Sequence, residues 1–559
     1  MELMIRRAIE VALERLGINS VDFVVEHPAD IAHGEYSTNI AMVCAKKVGK
    51  SPREIAEQFL AELTGTIPQV AKIEIAGPGF INFHLSRDFF SEKITDIFAH
   101  PDTWGNNNSL RNEEIIFEYT SPNLFKPLHI GNLVGNIVGE STARLFEAGG
   151  AVLHRVNYPS DIGLTVAKGV WGLQHTKGDP QDINQIGEAY RIGNEAYEHD
   201  PDAKRAIETV NRSLYAGDDE SLMALRAQGI ETSQKHFTEL CRKLGTSFDI
   251  QILESEASPL GVETVRAHMG DVFEESDGAV IYRGEKHGLH TRVFLNSQGL
   301  PTYEAKDLGN FVLKQKKYPT WTQYFVVTGG EQREYFKVLI CALRDVFKEA
   351  QSRVVENVAT GFLTLTTGKM SSRKGNVLTG ESFLAELEAE ARERASASRA
   401  DNVTELAEMI AVGALKYQIL RQSIGTDIVF DKAQALSLEG DSGPYLMYTH
   451  ARIASTEAKA QEIGMTLATT HAPHMPYEVE RTLYQFPEVI CKAQAERAPH
   501  HLVVYLTKLA SEFNSFYAHE KIIDMNDEYA PYKLALATAV RITLKNGLWA
   551  LGIKAPERM

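Results

Sequence analysis

Cysteine is scarce in this chain, and its spacing excludes two classes of protein. The 559 residues include four cysteines, which lie far apart at Cys44, Cys241, Cys341 and Cys491. They form neither a Cys-x-x-Cys pair nor the dense framework of a small disulfide-stapled domain. We therefore expect a protein of the reducing cytoplasm that has no structural metal.

Long apolar runs and an excess of positive charge are missing as well. No stretch approaches the ~18 consecutive apolar residues that span a bilayer, and the acidic residues Glu2, Glu10 and Glu14 argue against a transit peptide. We expect no membrane partner. The net charge is −16 at pH 7, which argues mildly against a nucleic-acid binder, although a local basic face can coexist with an acidic remainder.

The chain is too long for one hydrophobic core, and changes in its pattern indicate about three domains. Strands that alternate with helices predict an α/β multidomain protein with a Rossmann-type doubly wound core. The predicted segments are a small α+β domain (residues 1–86), a linker (87–114), the core (115–385) with a charged helical insertion at about 170–245, and an all-α bundle (386–559).

Neither of the common phosphate-binding fingerprints is present, yet one loop has the context of an anion site. The stretch TSPNLFKPLHIGN (residues 120–132) follows a β-rich run and precedes a helical pattern that stops at Gly149. A strand, a loop and a helix N-terminus together offer free N–H groups and a favourable helix dipole to phosphate. Gly131, Gly135 and Gly139 share one helical face, which lets a nucleotide approach. The alternative for His129 is a surface or core histidine.

A second loop, GKMSSRKGNVL (residues 368–378), places Lys369, Arg373 and Lys374 among small hydroxyl residues where the sheet should end. Doubly wound sheets bind ligands at the carboxyl ends of their strands, near the switch point. Both loops could therefore face one triphosphate, with His129 donating to the α-phosphate and the cations neutralising developing charge. A solvated basic turn is the alternative interpretation.

These residues carry a family resemblance. HIGN (129–132) resembles the HIGH signature of class I aminoacyl-tRNA synthetases, KMSSR (369–373) resembles their KMSKS, and SPN before the histidine motif resembles arginyl-tRNA synthetases. Similar segments occur in the N-terminal domain (GEYSTNIAM, AGPGFINFHL), the core (PTYEAKDLGN, VVTGGEQREYFK) and the anticodon-binding domain (GPYLMYTHARI, LKNGLWALGIKAPERM). The resemblance implies that L-arginine and ATP, with Mg²⁺, give arginyl-adenylate, and that arginine then moves to tRNA(Arg). It also implies a monomer and an adenylation step that needs tRNA.

The resemblance also implies a role for each matching residue. The catalytic set is His129, Lys126, Lys369, Arg373 and Lys374. The ATP-binding set is His129, Gly131, Asn132, Gly135, Lys369, Met370, Ser371 and Ser372. The arginine-binding set is Glu118, Ser121, Asn123, Asn132, Tyr303, Asp307 and Gln332. The tRNA-binding set is Tyr36, Asn39, Tyr445, Tyr448, His450 and Arg452.

The side chains expected around arginine suit its chemistry. A guanidinium is planar and always charged, and it pairs with carboxylates in its plane. Tyr303 and Asp307 are four residues apart and share a helical face, while Glu118 ends the strand before the first loop. The alternatives are a helix-start cap at Tyr303 and Asp307, a surface glutamine at Gln332 and core packing for Tyr445.

Three positions depart from the family pattern. Asn132 replaces the second histidine of HIGH, so it can form hydrogen bonds but carries no charge. The fourth KMSKS position is Ser372, and Lys126 precedes the histidine motif where many arginyl enzymes use a lysine, which leaves open whether Lys126 or Lys369 dominates. Asp161 lacks the glycine that usually precedes it, which leaves its role open.

Three rival functions stay open on the sequence. Another class I synthetase or a HIGH-type nucleotidyltransferase would share His129 and Lys369 but not the guanidinium site. A non-catalytic tRNA-binding paralogue would have lost ATP turnover. A purely structural helical scaffold would leave both signature loops unexplained.

Overall fold

Alternating β-rich and amphipathic segments give the following elements in a computed structural model that describes residues 1–366, 379–395 and 402–559. The N-terminal part holds α1 (Glu2–Arg15), β1 (Val25–Glu26), β2 (Tyr36–Thr38), α2 (Ile40–Val48), α3 (Pro52–Leu63), β3 (Val70–Ala76), β4 (Phe80–Leu85) and α4 (Arg87–Ala99). The middle part holds β5 (Glu114–Glu118), α5 (Ile130–Ala148), β6 (Val152–Asn157), α6 (Leu164–Thr176), α7 (Ile183–His199), α8 (Pro201–Ala216), α9 (Glu220–Lys243), β7 (Ile250–Gln251), α10 (Glu254–Ala267), β8 (Glu274–Ser276), β9 (Ala279–Tyr282), β10 (Arg292–Leu295), α11 (Tyr303–Lys317), β11 (Gln323–Gly329), α12 (Arg333–Val346), α13 (Lys348–Ser352), β12 (Val354–Thr360) and β13 (Leu363–Leu365).

The C-terminal part is mostly helical. It holds α14 (Gly380–Ala395), α15 (Val403–Leu420), β14 (Ile428–Phe430), α16 (Lys432–Ala435), α17 (Gly443–Glu462), α18 (Glu478–Leu483), α19 (Phe486–Ala495), α20 (His500–His519) and α21 (Ala530–Ala550). Among the described helices, none has the length and apolarity that a membrane crossing requires.

One compact unit comprises residues 1–104, 456–486 and 511–543. Its antiparallel sheet has the strand order β1-β2-β4-β3, and Ser51 starts α3 with a capping box to Glu54. The prediction that the linker begins at residue 87 is wrong. Residues 87–99 form α4, because Ser86 caps the helix and Phe90 lies in the core of the unit.

The same unit contains a buried charge cluster, which we name the Arg87 cluster: Arg87, Glu480 and Tyr532. The guanidinium donates to the Glu480 carboxylate at 2.8 Å, to the Tyr532 hydroxyl at 2.6 Å and to the carbonyl of Pro473 at 2.7 Å. Tyr532 in turn donates to Glu480. Every charge in the cluster therefore has an opposite charge or a hydrogen-bond partner in the protein.

The second unit comprises residues 105–455, 487–510 and 544–559 and contains the doubly wound core. Its five-stranded sheet is parallel throughout and has the order β12-β11-β5-β6-β7. The chain runs outward from β5 to β7 and then returns to place β11 on the other side of β5. The switch point therefore lies between β5 and β11, and the predicted fold class is confirmed.

Two regions of this unit bear on the domain predictions. The helices α6, α7, α8 and α9 lie between β6 and β7, in the region where the sequence predicted a charged helical insertion. The C-terminal region is nearly all helical, as predicted, and its described part includes the short strand β14, which pairs in parallel with β13. Ile428 and Phe430 are buried there while Val429 is exposed, which is the alternation of a strand rather than a helix.

Lys416 on α15 is a buried lysine, only 1% exposed. Its amine donates to the carbonyl of Leu244 at 2.6 Å and to the carbonyl of Gly552. Burial, followed by the nearby Arg144 cation, lowers the pKa of Lys416 to about 7. The amine thus joins the end of α9 to the C-terminal turn of the chain.

Candidate active site

The loop between β5 and α5 stands at the switch point, as the strand–loop–helix pattern predicted. Strand β5 ends at Glu118, and His129 is the N-cap of α5. Thr120 (φ 56°) and Phe125 (φ 66°) adopt the left-handed conformation that non-glycine residues rarely take. Such strained residues persist only where their surroundings hold them. Here the Asn157 side chain donates to the carbonyl of Thr120.

The helical insertion holds this loop through two glycines. Phe125 is only 1% exposed. A Cβ at Gly169 would lie 2.7 Å from its ring, and a Cβ at Gly229 only 2.3 Å. Only glycine leaves this space for the ring, so α6 and α9 fix the position of Phe125 and of the neighbouring Lys126.

His129 lies over the first turn of α5. The side-chain Oδ1 of Asn132 accepts from the His129 backbone N–H at 3.0 Å, and a Cβ at Gly131 would come within 2.8 Å of the imidazole. Partial removal from water and the Lys126 cation lower the pKa of His129, with Glu331 acting in the opposite direction. We therefore expect a neutral imidazole at pH 7, which can donate from one nitrogen.

The three glycines on the face of α5 have different surroundings. A Cβ at Gly139 would lie 2.5 Å from the ring of Tyr119, so this glycine serves core packing. Around Gly135 nothing lies within 4 Å of an added Cβ. The face is therefore open at Gly135, while the imidazole of His129 covers Gly131 and the ring of Tyr119 covers Gly139.

The second signature loop lies outside the described residues. This applies to the predictions for Lys369, Met370, Ser371, Ser372, Arg373 and Lys374. The residues that follow this segment bond to the first loop. Thr379 forms a β-bridge with His129, and the Gly380 N–H donates to the carbonyl of Leu128 at 2.8 Å.

Three carboxyl groups, Glu118, Asp307 and Glu356, line one small pocket beside β5. Glu356 pairs with Arg497 at 2.9 Å. The pocket is also lined by Tyr324 and by apolar side chains of α12. Tyr335 donates a hydrogen bond to Asp307. Burial raises the pKa of Asp307 from its ordinary value of 3.8 to about 8, assisted by the neighbouring Glu118 and opposed by Tyr335. The pocket thus presents acidic groups that are largely removed from solvent.

The other residues predicted to bind arginine lie around the same strand ends. Ser121 is exposed, and Asn123 is half-buried and bridges to Ser160. Tyr303, the first residue of α11, is 58% exposed. Gln332 is exposed and ends the 3₁₀ turn that follows β11. Residues after β5 and after β11, the two strands of the switch point, therefore flank one site.

The sequence analysis missed a row of buried polar side chains on α11. Lys306 donates to Glu254 at 2.7 Å, and Ser160 donates to the same carboxylate at 2.9 Å. Further along the helix, Lys314 pairs with Glu118. The signal was present in the spacing, because residues 303, 306, 307, 310 and 314 recur at intervals of three and four.

Three family models match the chain in order. They are the arginyl tRNA synthetase N terminal domain at residues 3–85, the catalytic domain of tRNA synthetases class I (R) at 93–432, and the DALR anticodon binding domain at 446–559. The chain belongs to the arginyl-tRNA synthetase family. It is an aminoacyl-tRNA-forming ligase of class I, for which ATP is a substrate, and the resemblance seen in the sequence is confirmed.

Individual relatives are similar to this chain over nearly its full length. The arginine–tRNA ligase of Limosilactobacillus reuteri is 31% identical over 568 residues, which cover 99% of this chain and 98% of the relative. That of Lactococcus lactis is 29% identical and covers 100% and 99%. The arginyl-tRNA synthetase structure from Thermus thermophilus superposes with a TM-score of 0.82 at 24% identity and covers 100% of both chains. This last likeness supports the fold.

Asp161 has a structural role in this member of the family. It is fully buried, pairs with Arg226, and accepts from the backbone N–H of Ser255 at 2.8 Å and from its hydroxyl at 2.6 Å. These partners satisfy the carboxylate without a ligand.

Two residues predicted to contact tRNA are buried, so both predictions are corrected. Tyr36 is 1% exposed, with its ring 4.4 Å from that of His27. His450 is fully buried and donates from Nδ1 to the carbonyl of Pro556 at 2.9 Å. Both side chains serve packing, because an aromatic residue with one polar atom also suits a core position that offers one partner.

The remaining predicted tRNA contacts are partly accessible. Asn39 is half-buried and accepts from the Val24 N–H at 3.0 Å. Tyr445 is half-buried, and Arg452 lies 4.7 Å over the ring of Tyr448 on α17. Within the described part of the chain, no group of three or more His, Cys, Asp or Glu is arranged to hold a metal ion.

Proposed function

We propose that this chain activates L-arginine with ATP to give arginyl-adenylate and pyrophosphate, and then transfers arginine to the 3′-terminal adenosine of tRNA(Arg). Activation requires bound tRNA. Membership of the arginyl-tRNA synthetase family supports the overall reaction. The assignment of individual residues rests on the site described above.

The observation that carries the proposal is the acidic pocket at the switch point. Glu118 and Asp307 line one pocket beside the end of β5, together with Tyr324, Glu356 and apolar side chains. A guanidinium supplies the cation and the planar donors that two such carboxyl groups need. Citrulline has the same shape but no charge, so it should be rejected sharply.

Adenylate formation would take place beside this pocket at the N-terminus of α5. His129 donates to the α-phosphate, and Gly131, Asn132 and Gly135 line the nucleotide side. Lys126 supplies positive charge to the phosphates, with Lys369 as the alternative or additional cation. We propose that Mg²⁺ enters with ATP, because Mg²⁺ is commonly held by substrate phosphates together with few protein carboxylates.

The tRNA would be read at sites that are separate from the chemistry. Tyr445, Tyr448 and Arg452 on α17 are proposed to contact the anticodon loop by stacking and hydrogen bonding, and Asn39 is proposed to contact another part of the tRNA. Because the chain is acidic overall, these contacts should depend strongly on salt. We propose that the enzyme acts as a monomer in the cytoplasm.

The test is pyrophosphate exchange into ATP with each amino acid in turn, with and without tRNA(Arg). We expect exchange with arginine only, and only when tRNA is present. Exchange with a different amino acid would reject the arginine pocket while preserving class I chemistry. Absence of exchange under every condition, with tRNA still bound, would favour a non-catalytic paralogue.

A further inference from the structure

The inner face of α11 carries a second charged residue, Lys314, to which the proposed reaction assigns no role. Asp307, Asn310 and Lys314 recur at intervals of three and four and so share one face. Asn310 and Lys314 are each 1% exposed. A buried lysine is costly unless its charge is paired and its N–H groups are bonded, so its retention beside the pocket requires an explanation.

Three donors converge on one oxygen of Glu118. The side chain of Asn310 donates to Oε2 at 3.1 Å, the Tyr324 hydroxyl donates to Oε2 at 3.1 Å, and the Lys314 ammonium also donates to Oε2. The ammonium lies 4.1 Å from the centre of the Tyr324 ring as well. Every hydrogen bond that the described side chains make to the Glu118 carboxylate therefore ends on Oε2, and Oε1 is left as the oxygen that can meet a ligand.

The charges around the pocket are unequally compensated. Glu254 has Lys306, and Glu118 has Lys314. Asp307 has a hydroxyl partner, Tyr335. Glu356, the third acid of the pocket, has Arg497. Because Lys314 balances Glu118 and Arg497 balances Glu356, the pocket wall carries the charge of one carboxylate, which matches a single guanidinium. Without Lys314, two uncompensated acids would face one substrate cation.

We infer that Lys314 is a positioning residue for arginine: with Asn310 and Tyr324 it anchors Oε2 of Glu118, directs Oε1 toward the substrate, and sets the pocket charge to that of one guanidinium. The inference rests on the proposed function, in which Glu118 and Asp307 receive the amino acid. Lys314 does not itself touch the reacting atoms.

The test is the aminoacylation kinetics of the full-length enzyme with tRNA(Arg) and labelled arginine. For Lys314→Met we expect the KM for arginine to rise at least tenfold, with the KM for ATP within twofold and kcat within threefold of the parent. Lys314→Arg should restore the KM to within threefold, because a guanidinium can still donate to Oε2. Tyr324→Phe removes one donor and keeps the ring, so its KM should rise about threefold to fivefold.

Lys416→Met is the matched control, since Lys416 is an equally buried lysine of the same unit that bonds to backbone carbonyls. We expect it to change thermal stability but not the KM for arginine. A parent-like KM in folded Lys314→Met would overturn the inference, as would equal KM increases in Lys314→Met and Lys416→Met. Where Lys314→Met does not fold, a parent-like KM in Tyr324→Phe overturns it instead. Arginine-dependent charging by the parent enzyme tests the proposed function separately.

Discussion

Two buried clusters in this protein use the same residue types but balance their charges differently. In the Arg87 cluster, a guanidinium meets the Glu480 carboxylate, and the Tyr532 hydroxyl bonds to both. In the pocket of Glu118 and Asp307, Asp307 accepts a hydrogen bond from the hydroxyl of Tyr335, and no guanidinium of the described chain pairs with it. The Arg87 cluster thus contains, within the protein, the same guanidinium–carboxylate pair that we propose Asp307 forms with the substrate arginine.

The two clusters therefore differ in charge balance rather than in burial. Burial raises the pKa of Glu480 and of Asp307 alike. At Glu480 the paired Arg87 is the strongest opposing group, whereas at Asp307 the Tyr335 hydroxyl opposes the shift more than the Lys314 ammonium, which pairs with Glu118. A carboxyl group that is buried without a cation of its own is costly to keep ionised. That cost is recovered only when a ligand supplies the missing charge.

The largest expected effect comes from Asp307→Asn. Removing the carboxylate leaves the substrate guanidinium without its opposite charge, which costs about 3–5 kcal/mol for a buried pair. We expect kcat/KM for arginine to fall roughly 10²- to 10⁴-fold in aminoacylation assays, while the melting temperature does not decrease. A smaller loss than tenfold would show that the pocket does not pair with the substrate charge.

Arg87→Met should have the opposite effect to Asp307→Asn, a loss of stability without a loss of kcat/KM for arginine. It leaves Glu480 buried without its cation, so we expect the free energy of unfolding to fall by about 3 kcal/mol, the lower end for a broken buried pair. Chemical denaturation measures this loss. kcat/KM for arginine, measured on the folded fraction, should stay within twofold of the parent. A tenfold kinetic loss would contradict a purely structural role for the Arg87 cluster.

Replacing the tyrosine of either cluster by phenylalanine should have a smaller effect, and the two replacements form a matched pair. Each variant, Tyr335→Phe and Tyr532→Phe, removes one hydroxyl that donates to a buried carboxyl group, a bond worth about 1.5–2 kcal/mol. We expect Tyr335→Phe to raise the KM for arginine about tenfold at pH 7, and Tyr532→Phe to lower stability with no change in KM. Equal KM values in the two variants would remove the distinction between the clusters.

Arginine binding should also depend on pH. The pKa of Asp307 is about 8 in the folded chain, so below pH 8 the carboxyl group must lose a proton to pair with arginine. The KM for arginine should therefore fall about tenfold between pH 6 and pH 7 and level off above pH 8, while the KM for ATP serves as the control. A KM for arginine that stays constant from pH 6 to pH 8 would contradict the prediction.

The same shift has a defined sign for stability. Because the folded-state pKa lies above the ordinary value, Asp307 contributes stability that is full at low pH and is lost as the pH rises through about 8. Asp307→Asn removes this loss. The variant should therefore gain stability relative to the parent as the pH rises from 6 to 9, which calorimetry over that range would measure.

The sequence predicted those parts of the site that depend on local signals. Prolines, a β-rich run and a glycine stop define the loop that ends at His129, and each of these signals acts within a few residues. The alternation of predicted strands with predicted helices along the chain likewise indicated the parallel sheet. The row on α11 was missed because buried Asn310 and Lys314 look, in sequence, like residues of a solvated helix face.

The wrong predictions have the same physical origin. Tyr36 and His450 are types that often contact RNA, but each is buried here because tertiary packing supplies a partner that the sequence does not reveal. Gly169 and Gly229, which pack against the ring of Phe125, are both far from Phe125 in the sequence. No local pattern encodes such a contact.

The buried amine of Lys416 offers a built-in reporter of local opening. With a pKa of about 7 it exists largely as a neutral amine at pH 8, and both of its N–H groups then donate to the carbonyls of Leu244 and Gly552. A neutral amine is a good nucleophile, yet this one is sealed from reagents while the C-terminal turn stays in place. The rate at which an amine-selective acylating reagent labels Lys416 would therefore follow the opening of that turn, long before the chain unfolds globally.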